Sequence, residues 1–301
     1  KHLSMELERQ NVDVAVFHEW LPINAMVARQ TSVPLKVFFD HGTHHPISKA
    51  VDSVIVSNLE SKNIFEKTCC SSENIAYLPY SIDCRQDWNL HICAKKQFGL
   101  LESDVLMTTI SNHLESRLSD QMCSAIRSIL KKSPNSYYLP IGYVKDPKAL
   151  LKKIGMPGRV FLLGFIEQPS LLVRSMDLYL NEFPFGSGLS VLDAMASGCS
   201  VVTMYNEQGA PQGRFGGIYF GKEKSITSLN EKDYIDLACR LIRDKELRSL
   251  WKEETLQRFD QIVNPKRYAR EFEDVIKGFI ENSCFSNSLS EKVIGSFLTT
   301  S

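Results

Sequence analysis

The part of this sequence that points most directly to chemistry is a glycine-spaced turn followed by a carboxylate. Gly186 and Gly188 lie in the turn 183–188, which precedes a segment of helical periodicity. The first backbone N–H groups of a helix have no partner within it, so a turn without side chains lets an anion approach them. Asp193 follows one to two helical turns later, where its carboxylate can accept hydrogen bonds from a ribose. The pattern predicts a site for a nucleoside diphosphate.

The elements around this turn are predicted to form a βαβ unit. Residues 177–181 alternate apolar and polar side chains like a strand, and residues 200–204 are typical of a buried strand. Ser187 is predicted to cap the intervening helix and Gly198 to end it. The same arrangement also occurs in α/β domains without a phosphate site. A plain scaffold with a solvated Asp193 is therefore the alternative.

Composition narrows the class of protein. The chain has 301 residues, enough for two domains, and Lys plus Arg and Asp plus Glu both number 35. A nucleic-acid-binding protein would normally carry a basic excess, and no apolar run is long enough to cross a bilayer. The eight cysteines form no CxxC pair, so we expect packed, reduced thiols in a cytoplasmic protein. No metal and no cofactor are expected.

Polar residues follow the predicted strands of the first part of the chain. Strands are predicted at 12–17, 35–39, 53–56 and 75–78, alternating with short helices, which indicates a parallel sheet. Ligands of such sheets gather beyond the carboxyl ends of the strands. His18 and Glu19 follow the first strand, and Asp40, His41 and His44 follow the second.

A second series of strands and helices follows. Strands are predicted at 104–110, 136–141, 159–163, 177–181, 200–204 and 217–220. Helices are predicted at 120–132, 147–154, 169–175, 233–243, 245–259 and 265–281. We therefore expect an N-terminal α/β domain at 1–95, a nucleotide-binding α/β domain at 96–264, and a C-terminal helix and tail at 265–301.

Four segments, in this order, resemble glycosyltransferase family 4. They are VDVAVFHE, VPLKVFFDHGTHH, ENIAYLPYSID and FGSGLSVLDAMASGCSVV, and the later helix ending KELRSLWKEETLQRF is also similar. The resemblance implies the GT-B fold, in which two Rossmann-like domains face each other across a cleft. It also implies that the family's opening strand and glycine loop would precede Lys1, so the N-terminal domain is expected to be truncated.

The resemblance implies roles for individual residues. His41 or Asp40 would face the transferred sugar, and His18 would line the acceptor cleft as a catalytic candidate. Phe165 and Ile166 would hold the nucleobase through backbone groups. The donor-binding residues implied by the resemblance and the turn together are Asn112, Arg117, Phe165, Ile166, Gly186, Ser187, Gly188, Leu189, Ser190 and Asp193. Arg214 is a further candidate for a phosphate contact.

The sequence departs from the family 4 signature at two positions. Phe185 stands where the first glutamate is usual, and Asp193 replaces the second; Glu182, three residues before Phe185, is a candidate substitute. The FPFGSG turn is also similar to family 41, the protein O-GlcNAc transferases, whose members invert whereas family 4 enzymes retain. The stereochemistry therefore stays open.

These patterns predict a metal-independent glycosyltransferase, with retention as the first expectation. The donor would be a UDP-sugar, and the acceptor a hydroxyl of a glycan, lipid or protein. One alternative is an inactive GT-B-like protein that binds a glycan or a partner, and another is an inverting protein O-glycosyltransferase. Peripheral contact with a membrane is a further expectation, and no nucleic-acid partner is expected.

Overall fold

In the computed structural model, the chain forms two compact units. The first consists of Lys1–Ser81 together with Pro265–Ser301, and the second of Ile82–Asn264. The residues described are 2–18, 22–40, 50–57, 59–68, 71–79, 94–167, 169–205, 217–220, 222–224, 226–227, 230–263 and 265–283. Among the helices of these segments, none is both long enough and apolar enough to cross a membrane.

The first unit contains a parallel four-stranded sheet in the order β1-β2-β3-β4. Its strands are β1 (Val14–His18), β2 (Leu35–Asp40), β3 (Ser53–Val56) and β4 (Ile75–Tyr77). Its helices are α1 (His2–Arg9), α2 (Pro22–Gln30), α3 (Leu59–Thr68) and the C-terminal helix Pro265–Asn282, with a 3₁₀ turn at Ser72–Asn74. The four strands predicted from the sequence are all present, with ends shifted by one or two residues.

Both faces of this sheet are buried, which explains why its strands read as continuous apolar runs. On one face, Phe38 and Val54 pack with Phe65 of α3. On the other face, Val37 packs with Phe279 of the C-terminal helix. The helix predicted at 265–281 as a separate C-terminal segment is thus part of the core of the first unit.

The second unit contains a parallel four-stranded sheet in the order β6-β5-β7-β8, and a two-stranded parallel ladder of β9 and β10. Its strands are β5 (Val105–Thr108), β6 (Ser136–Tyr138), β7 (Leu178–Leu180), β8 (Ser200–Val202), β9 (Met204–Tyr205) and β10 (Ile226–Thr227). Its helices are α4 (Ala94–Gln97), α5 (Leu114–Arg117), α6 (Asp120–Lys132), α7 (Pro147–Ile154), α8 (Pro169–Val173), α9 (Leu189–Ala196), α10 (Gly217–Phe220), α11 (Glu231–Arg243) and α12 (Lys245–Ile262). A 3₁₀ turn lies at Lys222–Lys224.

Three strand predictions in this unit are corrected. Residues 217–220 form the helix α10, because Tyr219 and Phe220 are buried on one short turn rather than on alternate faces. The segment 159–163 makes an isolated bridge, from Val160 to Tyr138, in place of a strand. The strand predicted at 200–204 is divided, since Met204 pairs with Ile226 in the separate ladder.

The strand order creates a switch point between β5 and β7. From β5 the chain moves outward to β6, and it then returns to the other side of β5 as β7. Hydrogen bonds join the two strands near their carboxyl ends, where Thr109 Oγ1 donates to Leu180 O at 2.7 Å. Ligands of open α/β sheets bind at such a point. The glycine turn 183–188 begins three residues after β7 ends, so the fold places it at this edge.

Gly142 fixes the loop that follows β6 against the loop that follows β5. Ser111 N donates to Ile141 O at 3.0 Å, and Gly142 N donates to Gly164 O at 2.7 Å. A Cβ atom on Gly142 would lie 1.8 Å from Ser111 O, and the φ angle of 144° also disfavours any side chain.

We expect Gly142→Ala to lower the free energy of unfolding by about 3 kcal/mol or more, because the new methyl group overlaps the backbone carbonyl of Ser111 and the positive φ disfavours a side chain. Gly158→Ala is the matched control, since Gly158 also has a positive φ but has open space around its Cα. This control should lose only about 1 kcal/mol. Equilibrium denaturation of both variants measures the difference. Equal losses of the free energy of unfolding would contradict the steric overlap at Gly142.

Candidate functional site

The backbone carbonyls of the turn 183–188 are held by side-chain donors on the inner side of the turn. These donors come from three different places, α5, the residue before α6, and the end of β7. The bonds are Ser119 Oγ to Phe183 O at 2.8 Å, Arg117 Nη1 to Phe185 O at 2.9 Å, and Asn181 Nδ2 to Ser187 O at 3.0 Å. The negative ends of these peptide groups are therefore directed to protein donors.

The backbone N–H groups at the start of α9 are left available. Within the described residues, no hydrogen bond is found for the N–H of Gly188 or of Leu189. Gly188 O accepts the first helical bonds, from Val191 N and Leu192 N. Gly188 is therefore the N-cap, one residue after the predicted Ser187, although Ser187 Oγ still accepts from Ser190 N at 3.3 Å. Unpaired N–H groups at a helix start favour an anion.

Gly188 has a packing reason to lack a side chain. A Cβ atom at this position would lie 2.5 Å from Cε2 of Tyr219, whose ring on α10 covers the glycine. The sequence suggests that Gly188 leaves room for a ligand, whereas the structure shows the space beside it filled by an aromatic ring. Helix α10 thus holds the start of α9 in place.

Asp193 lies on the less buried side of α9. Leu192 and Met195 are fully buried. Partial burial raises the pKa of Asp193 to about 6. No hydrogen bond to its carboxylate is found within the described segments, so the oxygens are available to a ligand with hydroxyl groups.

Glu182 is a fully buried carboxyl group at the base of the turn. Its Oε2 accepts from Asn181 Nδ2 at 3.1 Å, and its Oε1 has no hydrogen-bond partner in the described residues. Burial raises the pKa of Glu182 to about 7, while its own backbone N–H and the charge of Arg117 act in the opposite direction. Phe185, at the position of the first signature glutamate, is nearly half exposed.

Asn181 joins the base of the turn to the rest of the second unit. Its Oδ1 accepts from Thr203 Oγ1 at 2.9 Å, and its backbone O accepts from Tyr234 Oη at 2.9 Å. Together with the bonds to Glu182 and Ser187, these contacts connect β7, the residue after β8, and α11. Nothing in the sequence indicates this role, since a single Asn after a short strand is common.

The other donor-side candidates lie at the same edge of the sheet but do not all contact the turn. Arg117 reaches it directly. Asn112 is exposed beyond β5. Phe165 is 64% exposed after the segment that bridges to β6, and Ile166 is partly buried. Within the described part of the chain, no hydrogen bond or ring contact joins Asn112, Phe165 or Ile166 to the turn.

The candidates of the first unit are placed only in part. His18 ends β1, and its ring stacks on Phe39 with centroids 5.1 Å apart. Asp40 ends β2 and is fully buried, and its backbone O accepts from Ser57 Oγ at 3.2 Å. The candidates Glu19, His41 and His44 of this unit, and Arg214 of the second unit, lie outside the described residues. The described residues contain no group of three or more His, Cys, Asp or Glu placed to hold a metal ion.

Comparison with known proteins gives matches to solved structures alone. No family model matches the chain, and no curated protein matches its sequence. A TarM variant from S. aureus, in complex with Fondaparinux, alpha-GlcNAc-glycerol and UDP, superposes with a TM-score of 0.68 at 16% identity, over 90% of this chain and 57% of that chain. HepE from Anabaena, in complex with UDP and glucose, superposes with a TM-score of 0.71 at 13% identity, over 91% and 81%.

A third match is an O-GlcNAc transferase mutant from Thermobaculum terrenum, with a TM-score of 0.69 at 18% identity, over 95% of this chain and 56% of that chain. The chain thus spans little more than half the length of the TarM and O-GlcNAc transferase chains. At these identities the likeness shows the fold. The chain has parallel α/β units of Rossmann type, and its structural neighbours are GT-B glycosyltransferases. The finer resemblances to families 4 and 41 stay predictions.

We expect Gly188→Ala to lower the free energy of unfolding by about 1–3 kcal/mol, because the methyl group overlaps the Tyr219 ring. Tyr219→Ala removes that overlap, so the double variant should recover part of the loss. A double-mutant cycle by equilibrium denaturation measures this coupling. Strict additivity of the two substitutions would contradict the packing role.

We expect Glu182 to make the chain less stable as the pH rises. Its pKa is raised from 4.5 to about 7 in the folded state. The stabilisation by the bound proton is therefore complete below the unfolded pKa and is lost as the pH rises through about 7, a loss of about 3 kcal/mol. Glu182→Gln should lack this part of the pH dependence. Denaturation curves of both proteins between about pH 5 and pH 8 measure it, and parallel profiles would show that the buried carboxyl does not titrate in this range.

Proposed function

We propose that this chain is a glycosyltransferase that moves a sugar from a nucleoside diphosphate donor to an acceptor hydroxyl. The observation that carries the proposal is the start of α9. No partner for the N–H groups of Gly188 and Leu189 is found there among the residues that the structure describes, and Arg117 hydrogen-bonds to Phe185 O of the same turn. The likeness to solved structures with UDP bound supports the same chemistry, since HepE is described in complex with UDP and glucose.

The residues of the turn would act on the charge of the leaving group. When the bond between the sugar and the diphosphate breaks, negative charge grows on the diphosphate. Fixed N–H dipoles and a guanidinium stabilise such charge without having to reorganise. Arg117 uses one N–H for Phe185 O, and its planar group has further donors for a phosphate. The carboxylate of Asp193 would accept hydrogen bonds from the ribose.

We propose a UDP-sugar as the donor and a glycan, lipid or protein hydroxyl as the acceptor, without a metal ion. Retention is the proposed outcome by resemblance to family 4, and the FPFGSG turn leaves an inverting protein O-glycosyltransferase as the competing form. By the same resemblance, His41 or Asp40 is proposed to face the transferred sugar, and His18 to line the acceptor cleft. A cytoplasmic location with peripheral membrane contact belongs to the proposal as well.

A second candidate function is nucleotide binding without transfer. The observation that favours it is Phe185, a nearly half-exposed apolar side chain at the position where the family signature has a carboxylate. A chain that binds a nucleotide sugar but releases no nucleoside diphosphate with any acceptor would support this second function over the first.

We expect Arg117→Met to weaken binding of the donor by about tenfold to a hundredfold, because a charge-assisted hydrogen bond contributes about 1.5–3 kcal/mol. Arg117→Lys keeps the charge but loses the planar guanidinium, so its donor affinity should lie between those of the unsubstituted chain and Arg117→Met. Arg270→Met is the control, since Arg270 is exposed on the C-terminal helix, in the other unit. Calorimetric titration with UDP-glucose, ADP-glucose and GDP-mannose measures the effect. Unchanged affinity in Arg117→Met would contradict the site.

A further inference from the structure

Glu182 combines two features that are unusual together. It is fully buried, with Oε1 unpartnered in the described residues, and it lies at the base of a turn that presents N–H groups to an anion. A buried polar atom without a partner costs free energy, and an ionised one costs much more. A carboxyl group in this position is therefore tolerated in its neutral form.

Among the described residues, one cation and three phenols lie close enough to Glu182 to interact with its charge. Arg117 on α5 is the cation whose charge acts on it. Tyr138 on β6, Tyr179 on β7 and Tyr234 on α11 face the same space, and burial raises the pKa of each phenol, so they stay neutral. The other carboxyl group of the site is Asp193 on α9.

Glu182 is connected to the proposed diphosphate position through short contacts. Asn181 Nδ2 is shared between Glu182 Oε2 and Ser187 O, and Ser187 directly precedes Gly188, whose N–H is available. Arg117 also contacts the turn, at Phe185 O. A negative charge on Glu182 would therefore weaken the electrostatic attraction between Arg117 and the diphosphate. Because Glu182 is buried, water would screen this charge only weakly.

We infer that Glu182 is a positioning residue for the donor, and that its carboxyl group must carry a proton when the diphosphate binds. The inference rests on the proposed function of the same turn. When the donor binds to the ionised form, one proton is taken up from solvent onto the Glu182 carboxyl group, and it is released when the donor leaves. Donor affinity therefore falls as the pH rises.

The test uses nucleotide sugars, because their diphosphate is esterified at both ends and does not change its charge near neutral pH. The full chain is titrated calorimetrically with UDP-glucose, ADP-glucose and GDP-mannose at about pH 6 and about pH 8, in buffers of different ionisation enthalpy, which counts the protons taken up. We expect about tenfold weaker binding at the higher pH, with net proton uptake near neutrality. A purely structural role for Glu182 predicts neither.

Glu182→Gln should bind the same donor with an affinity that no longer falls with pH and without that proton uptake. Asp193→Asn is the control for the second carboxyl group, and its remaining binding should keep the uptake. If Glu182→Gln does not fold, the proton count of the unsubstituted chain decides. Donor binding that is independent of pH, or uptake that persists in Glu182→Gln, would overturn the inference alone. Failure of all three nucleotide sugars to bind at about pH 6 would overturn the proposed function, and the inference with it.

Discussion

The site depends on how the peptide groups of one turn are satisfied. A backbone carbonyl and the N–H that follows it point in opposite directions, so fixing the carbonyl also fixes the direction of the donor. In the turn 183–188, Ser119, Arg117 and Asn181 hold alternate carbonyls from the inner side. Because Asn181 holds Ser187 O, the N–H of Gly188 is directed away from Asn181, and no partner for the N–H groups of Gly188 and Leu189 is found among the described residues. An anion site made of backbone needs this kind of support, because glycine alone does not choose a direction.

The supporting side chains come from elements that are distant in sequence. Asn181 follows β7, yet it also takes bonds from Thr203 after β8 and from Tyr234 on α11. Ser119 precedes α6 and caps that helix by accepting from Met122 N at 3.1 Å, while its hydroxyl donates to the turn. Polar contacts thus join the turn to the sheet and to the helices α6 and α11. The buried Glu182 joins this polar group through the hydrogen bond that its Oε2 accepts from Asn181 Nδ2.

The sequence predicts the regular elements well and the contacts of the turn poorly. Periodicity gives α6 and α7 with their observed bounds, because each has a clear cap and an amphipathic face. It also places Arg117 among the donor-binding candidates, and the structure brings that side chain onto the turn. The strand prediction fails at 217–220. Four residues are too few to distinguish the alternation of a strand from a single turn of helix. Tyr219 and Asn181 were missed because their roles depend on partners far away in the chain.

The C-terminal helix Pro265–Asn282 has a consequence for how the protein is made. Its apolar residues, Ile276 among them, cover one face of the sheet built from residues 14–77. During synthesis that face has no cover until residues 265–282 have left the ribosome. The second unit ends at Asn264, so all of its residues are synthesised before the C-terminal helix. Domains usually complete folding from the N-terminus onward, whereas here the second unit is complete before the first, whose apolar sheet surface chaperones can bind in the meantime.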